Sequence, residues 1–206
     1  MIHLLVATTN LGKFAEVRVF LKHLPLDILS LNGLENPLTV VEDGASFEEN
    51  ALKKARTLAE YSGYYTLADD SGLEVDALNG EPGTYSARYS GEEGGDDKNN
   101  RKLLIELKNV PPEKRSARFV CALALCAPKS RGLKEWTVRD TCEGFITTDL
   151  RGRNGFGYDP LFFYPQFGKT FGELDRQTKA TVSHRGKALK KLAEILPTFF
   201  DVSAKP

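Results

Sequence analysis

The chain opens on "IHLLVATT", an apolar, β-branched run that reads as a buried strand. "NLGKFAEVRVFLKHLP" follows with Phe14, Val17, Leu21 and Leu24 at helical spacing, and Pro25 stops it. After a short strand "LDILSL" and a polar loop comes a second helix, "SFEENALKKARTLAEYSG", with Ser46 and Glu49 spaced as a capping box and Gly63 at its end. "YYTLA" makes the next strand and delivers Asp69 and Asp70 at its end, directly before Ser71-Gly72.

Beyond "GLEVDAL" lies a Gly/Pro/Tyr-rich loop and then "SGEEGGDDKNN", the most loop-like tract of the chain, which makes residues 92–100 the best candidate for a mobile segment. The helix "NRKLLIELKNV" ends at Pro111-Pro112. "ARFVCALALCAP" and "EWTVRDTCEGFITTD" alternate and flank the turn signal "KSRG", which predicts an antiparallel hairpin. A second glycine-rich loop in "LRGRNGFGYDPLFFYPQFG" enters a short aromatic strand, and "SHRGKALKKLAEILP" closes the chain as a helix with Ala188, Leu192 and Leu196 on one face. Together these elements predict an α/β fold with a mixed parallel and antiparallel sheet, whose strand-end loops are where a ligand would sit.

Composition narrows the functional classes. The 206 residues can bury a sizeable core, and 41% hydrophobic with 27% charged residues is ordinary for a globular protein. Lysine plus arginine equals aspartate plus glutamate at 28 each, which argues against a duplex nucleic acid partner held by bulk phosphate neutralisation. The apolar run Phe119 to Ala127 is too short for a membrane span and the N-terminus lacks a leader pattern, so a cytoplasmic protein with no membrane partner is expected. Cys121, Cys126 and Cys142 have no CxxC spacing and no histidine nearby, and read as small core residues.

Three segments carry candidate chemistry. In "TTNLGK", Asn10 is an N-cap that puts Lys13 in the first helical turn, where the helix dipole disfavours a cation, so an anion should stand beside it. The helix start and the lysine together suit a phosphate, although the stretch does not satisfy GxxxxGK[ST]. The pattern recurs late in the chain, with Ser183 as N-cap, Arg185 and Lys187 in the first turn, and Lys179 upstream. Asp69 and Asp70 point to opposite faces of their strand, so one can enter a site while the other fixes the turn; carboxylates near phosphate-binding signals suit a hard metal. Glu42 and Asp43, or Glu48 and Glu49, could add to that site, with Glu49 more naturally a cap. In "NGFGYDP", glycines allow close approach, aromatics can stack on a planar base, and Asp159 can accept from a ring N–H.

With these motifs in place, the chain resembles the inosine triphosphate pyrophosphatase family (dITP/XTP diphosphatases, acting on noncanonical purines) from its first strand to its last helix. "ATTNLGK", "SFEENALKKA", "ADDSGLEVDALNGEPGTYSARYSG", "GFGYDPLFF" and "SHRGKAL" carry the resemblance, in that order. It implies a single two-lobed domain over residues 1–206 with a central cleft, a homodimer, and Mg²⁺-dependent hydrolysis of ITP, dITP and XTP to monophosphate and pyrophosphate. By the same resemblance, Asp70 is the catalytic acceptor and metal contact, and Lys13 assists. Thr8, Thr9, Asn10, Leu11, Gly12 and Lys13 would line the triphosphate, with Ser71 at the substrate. Phe156, Gly157, Tyr158, Asp159, Lys179, His184 and Arg185 match the remaining nucleotide-binding positions.

Two departures bear on the site. Where many relatives carry two glutamates before the second helix, this chain has Val41 and Glu42, leaving Glu42 as the metal contact there. Where relatives often show "EEK" ahead of "SHR", it reads "QTK", keeping Lys179 without acidic neighbours. Other readings are a nucleotide-binding module without turnover and a pyrophosphatase for other modified nucleotides. An aspartyl-phosphate phosphatase ranks last, because "ADDSG" lacks the DxD spacing.

Overall fold

The computed structural model describes residues 1–91 and 94–200. Seven strands run in the order β2-β1-β3-β4-β5-β6-β7. They are β1 (Ile2–Ala7), β2 (Leu26–Ser30), β3 (Tyr65–Val75), β4 (Ser116–Cys126), β5 (Glu135–Ile146), β6 (Phe162–Tyr164) and β7 (Lys169–Thr170). The helices are α1 (Leu11–Leu21), α2 (Phe47–Ser62), α3 (Asp96–Glu106), α4 (Arg176–Val182) and α5 (His184–Phe199). β1 is parallel to both β2 and β3, whereas β6 is antiparallel to β5 and β7. The expected α/β class with a mixed sheet is therefore what forms. No helix among the described residues is long and apolar enough to cross a membrane.

Two compact units divide the chain, one from Met1–Asp70, Cys121–Asp140 and the chain from Gly186 on, the other from Ser71–Val120 and Thr141–Arg185. In the first, Leu4 and Val6 of β1 share a core with Val17 and Leu21 of α1, Leu67 of β3, and Leu189, Leu192 and Leu196 of α5. Leu5 and Ala7 are also fully buried, so β1 is covered on both faces, as a near-continuous apolar run in a parallel strand requires. The second unit is built around Leu73, Leu103, Leu107, Phe119, Tyr158, Phe162 and Phe171. All three cysteines are buried, as expected.

Register explains why the two N-terminal motifs meet. Ala7 pairs with Ala68, so the loop after β1 and the aspartates after Ala68 start at the same edge of a parallel pair. The caps also form as expected: Asn10 Oδ1 accepts from Lys13 N at 3.0 Å, Ser46 Oγ accepts from Glu49 N at 3.2 Å, and Gly63 takes the left-handed C-cap conformation at φ 71°. Glu49 completes its cap one residue earlier than a strict capping box, accepting from Ala45 N at 2.8 Å.

Several boundaries differ from expectation. β3 does not end at the aspartates; it runs through them to Val75, because "GLEV" after Ser71 resumes the burial of alternate residues, with Leu73 and Val75 in the core. α3 starts at Asp96 rather than Asn100, since Asp96 and Asp97 stabilise a helix's first turn and Asn99 and Asn100 turn inward. Of the stretch read as the candidate mobile segment, residues 92 and 93 lie outside the described residues and 96–100 are helical. α4, capped by Asp175 accepting from Thr178 N at 2.8 Å, was not anticipated, and α5 continues past Pro197 to Phe199.

Two glycines with positive φ separate strain from crowding. A Cβ at Gly63 would meet nothing within 4 Å, whereas one at Gly152 (φ 81°) would lie 2.0 Å from the Gly172 carbonyl. Gly63→Ala is expected to cost about 1 kcal/mol. Gly152→Ala should lower the melting temperature clearly further, and equal losses in thermal denaturation would contradict this reading.

Candidate functional site

Strand alternation assigns the two aspartates to different neighbours. Asp69 shares its face of β3 with Leu67, which packs in the core with α1, and there its Oδ1 meets Lys13 Nζ at 2.6 Å while its Oδ2 lies 3.5 Å from Cys121 Sγ. Asp69 is 2% exposed, so this is a buried ion pair. The anion that the helix start demanded beside Lys13 is therefore a side chain of the protein. A lysine has three N–H donors, and with one aimed at Asp69 the others can still meet phosphate oxygens. Thr8 Oγ1 accepts from Asn10 N at 3.2 Å and shapes the turn into α1, whose first-turn N–H groups have no acceptor within the helix. Leu11 is largely exposed, so its side chain adds no packing there.

Asp70 faces the other way, toward α2. Burial pushes its carboxyl above the ordinary range; Lys13 and Lys54 oppose that shift, Glu42 adds to it, and Asn50 lowers it slightly. Asp70 Oδ2 is buried and has no hydrogen-bond partner among the described residues. Glu42 is bonded to Lys54 of α2, and Asp43 to Lys53 at 2.5 Å. An orphaned carboxylate oxygen with a second carboxylate in its field fits a hard cation. No group of three or more His, Cys, Asp or Glu able to hold a metal occurs among the described residues, so such an ion would take most of its shell from water and phosphate.

In the second unit, the "NGFGYDP" loop gathers around Phe156. Lys179 Nζ lies 4.6 Å from the ring centroid and Arg185 Cζ 5.6 Å from it, both on side chains that are almost completely buried. His184 stacks on Phe119 at 4.7 Å with an interplanar angle of 14°. Ser183, with extended backbone, immediately precedes α5, so His184 and Arg185 occupy the first turn as expected; Lys187 points outward and is exposed. Ser71 is half-buried on β3.

Asp159 also has a structural part within its own loop. Its Oδ2 already accepts from Lys179 Nζ at 2.6 Å and from Phe156 N at 2.8 Å, with the residue 1% exposed. Asp159 braces the loop and orients Lys179. A Cβ at Gly155 (φ 81°) would fall 1.9 Å from that oxygen, which is why glycine stands there. Two residues that sequence reading missed hold the same loop from α3: Asp96 Oδ2 accepts from Gly157 N at 2.6 Å, and Asn100 Nδ2 donates to Gly157 O at 2.9 Å. Their signal was polar residues at helical spacing within "DDKNN", masked by the loop-like composition around them.

Against known proteins, the model of the Ham1 family matches residues 4–195. A dITP/XTP pyrophosphatase of Geobacter sulfurreducens is 52% identical over 196 residues, covering 95% of this chain and 97% of that protein. One from Desulforamulus reducens is 49% identical over 193 residues, covering 94% of each. Among solved structures, a HAM1 protein from Coxiella burnetii superimposes with a TM-score of 0.86 at 38% identity, covering 96% of this chain and all of that one.

The environment of Asp70 sets a stability prediction. Its folded-state pKa lies above the ordinary 3.8, so the native state binds the proton more tightly than the unfolded chain and loses stability as pH rises from 3.8 through the raised value. Asp70→Asn should therefore raise the melting temperature at pH 7 in metal-free buffer and give no gain below pH 3.8. A lower melting temperature at pH 7 would show the carboxylate to be stabilising.

Proposed function

This chain belongs to the Ham1 family, and from that premise we propose that it hydrolyses ITP, dITP and XTP to the monophosphate and pyrophosphate with the help of Mg²⁺. The observation that carries the reading is the pairing of Asp70, buried and with an oxygen that no described residue meets, with the Lys13–Asp69 ion pair at the edge where β1 and β3 run side by side. The relatives named dITP/XTP pyrophosphatases match nearly the whole chain, which supports the same substrate class.

Each residue has a role in that reaction. The start of α1 and Lys13 receive triphosphate oxygens, and Asp69 fixes the direction from which Lys13 approaches. Asp70, whose acidity burial has weakened, accepts a proton from the attacking water more readily than an exposed aspartate would. Mg²⁺ held by Asp70 and Glu42 would supply Lewis-acid stabilisation of the charge that builds on phosphate oxygens.

A purine suits the residues around Phe156. Phe156 offers a face for stacking, and Lys179, His184 and Arg185 are donors that suit a 6-oxo group. The 6-amino group of adenine would set donor against donor and leave buried polar groups unmatched. A homodimer in the cytosol completes the reading.

Pyrophosphate release from ITP, XTP, dITP and ATP, with and without Mg²⁺, tests it. We expect Mg²⁺-dependent turnover of the first three with kcat/KM at least about a hundredfold above ATP. Tight ITP binding with no pyrophosphate released would identify a binding module instead.

A further inference from the structure

Phe156, the ring offered to the base, sits between two peptide groups, and a carboxylate meets each of them. On its N-terminal side Phe156 N donates to Asp159 Oδ2 at 2.8 Å. On its C-terminal side Gly157 N donates to Asp96 Oδ2 at 2.6 Å, and Gly157 O accepts from Asn100 Nδ2 at 2.9 Å. Asp159 belongs to the same loop, whereas Asp96 and Asn100 reach it from α3, 61 and 57 positions away in the chain. Gly157 is left-handed at φ 62°, and a Cβ there would meet nothing within 4 Å. Hydrogen bonds to both of its backbone groups, rather than packing on that side, restrain the residue that follows the ring.

Neither α3 residue is placed as helix stability alone would place it. Asp96 and Asn100 stand four residues apart and so share one face of the helix. The N-cap is Gly95, with no side chain to cap the helix, while Asp96 turns Oδ2 to Gly157. Asn100 is 3% exposed, and its Oδ1 is buried with no hydrogen-bond partner among the described residues. Asparagine is a poor helix former, and a buried amide left half satisfied destabilises a fold, so the bond to Gly157 O is what this residue contributes. The helix start that carries both is itself anchored, since Asn99 Oδ1 accepts from Ser90 N at 2.8 Å and Lys102 Nζ donates to Tyr89 O at 2.8 Å.

We propose that Asp96 and Asn100 are positioning residues for base recognition, clamping Gly157 so that the Phe156 ring is fixed for stacking on the purine. This rests on the pyrophosphatase reading above. Both residues act through Phe156 and neither has to touch the substrate. A ring that is already fixed loses little freedom when the base arrives, so the clamp strengthens binding and leaves the chemical step alone.

Kinetics with ITP and Mg²⁺ test the clamp in Asp96→Ala, Asn100→Ala and Asp96→Asn, each made in the wild-type and the Phe156→Leu background. Either alanine variant should raise KM, and the Kd of the non-cleavable α,β-methylene analogue of ITP, about tenfold with kcat within about threefold. Asp96→Asn keeps an acceptor for Gly157 N and should restore KM to within about threefold of wild type. In the Phe156→Leu background, where no ring is left to position, the alanine variants should raise KM by no more than about twofold further. A merely structural role would add its loss in both backgrounds. Unchanged KM in Asp96→Ala, equal increases in both backgrounds, a loss confined to kcat, or an Asp96→Asn variant as weak as Asp96→Ala would each overturn the proposal. If Asn100→Ala does not fold, Asp96→Ala, at an exposed position, decides the matter. A wild type that binds ITP but releases no pyrophosphate would refute the pyrophosphatase reading instead, and the Kd of ITP would then replace KM in the same comparison.

Discussion

Two adjacent carboxylates buried in a central strand are the constraint around which the first unit is arranged. A strand sends consecutive side chains to opposite faces, so the two meet different surroundings even though the charge of Lys13 reaches both. Asp69 is met by Lys13 from α1, and the Asn10 cap and the Thr8 turn place that lysine in the helix's first turn, where the dipole would otherwise disfavour it. Asp70 receives no such pairing at its Oδ2 among the described residues, and burial leaves it less acidic. A buried ion pair on one face and, on the other, a carboxylate whose burial outweighs the lysines near it do not contribute much to stability. Their arrangement is intelligible as preorganised chemistry.

The second unit uses a different device. An aromatic ring, Phe156, is flanked by two buried cations, and the loop carrying it is fixed by the Asp159–Lys179 pair and by both Gly157 backbone contacts to α3. Asp159 takes part in this bracing through its Oδ2, which meets both Lys179 Nζ and Phe156 N. Binding at such a site loses less conformational freedom than binding at a mobile loop would.

Sequence made much of this visible for definite reasons. Asn10, Ser46 and Gly63 were legible because cap chemistry is local, and the separate fates of Asp69 and Asp70 followed from strand alternation alone. What was missed depended on tertiary burial. Ser71-Gly72 has the composition of a turn, yet Leu73 and Val75 carry β3 onward into the second core. "DDKNN" has the composition of a loop, yet its asparagines turn inward and its aspartate holds Gly157. The role of Asp159 escaped because nothing local reveals that Lys179, twenty residues on, reaches its Oδ2. The bond from Gly44 N to Asn50 Oδ1, at 2.7 Å, was hidden inside a motif whose helical and capping signals accounted for every neighbouring residue.

The division of labour between the two aspartates is the central claim, and steady-state kinetics of Asp69→Asn and Asp70→Asn on ITP test it most directly. The account predicts different signatures: Asp70→Asn loses kcat with little change in KM, whereas Asp69→Asn releases Lys13 and loses mainly in KM. The same signature from both variants would contradict it.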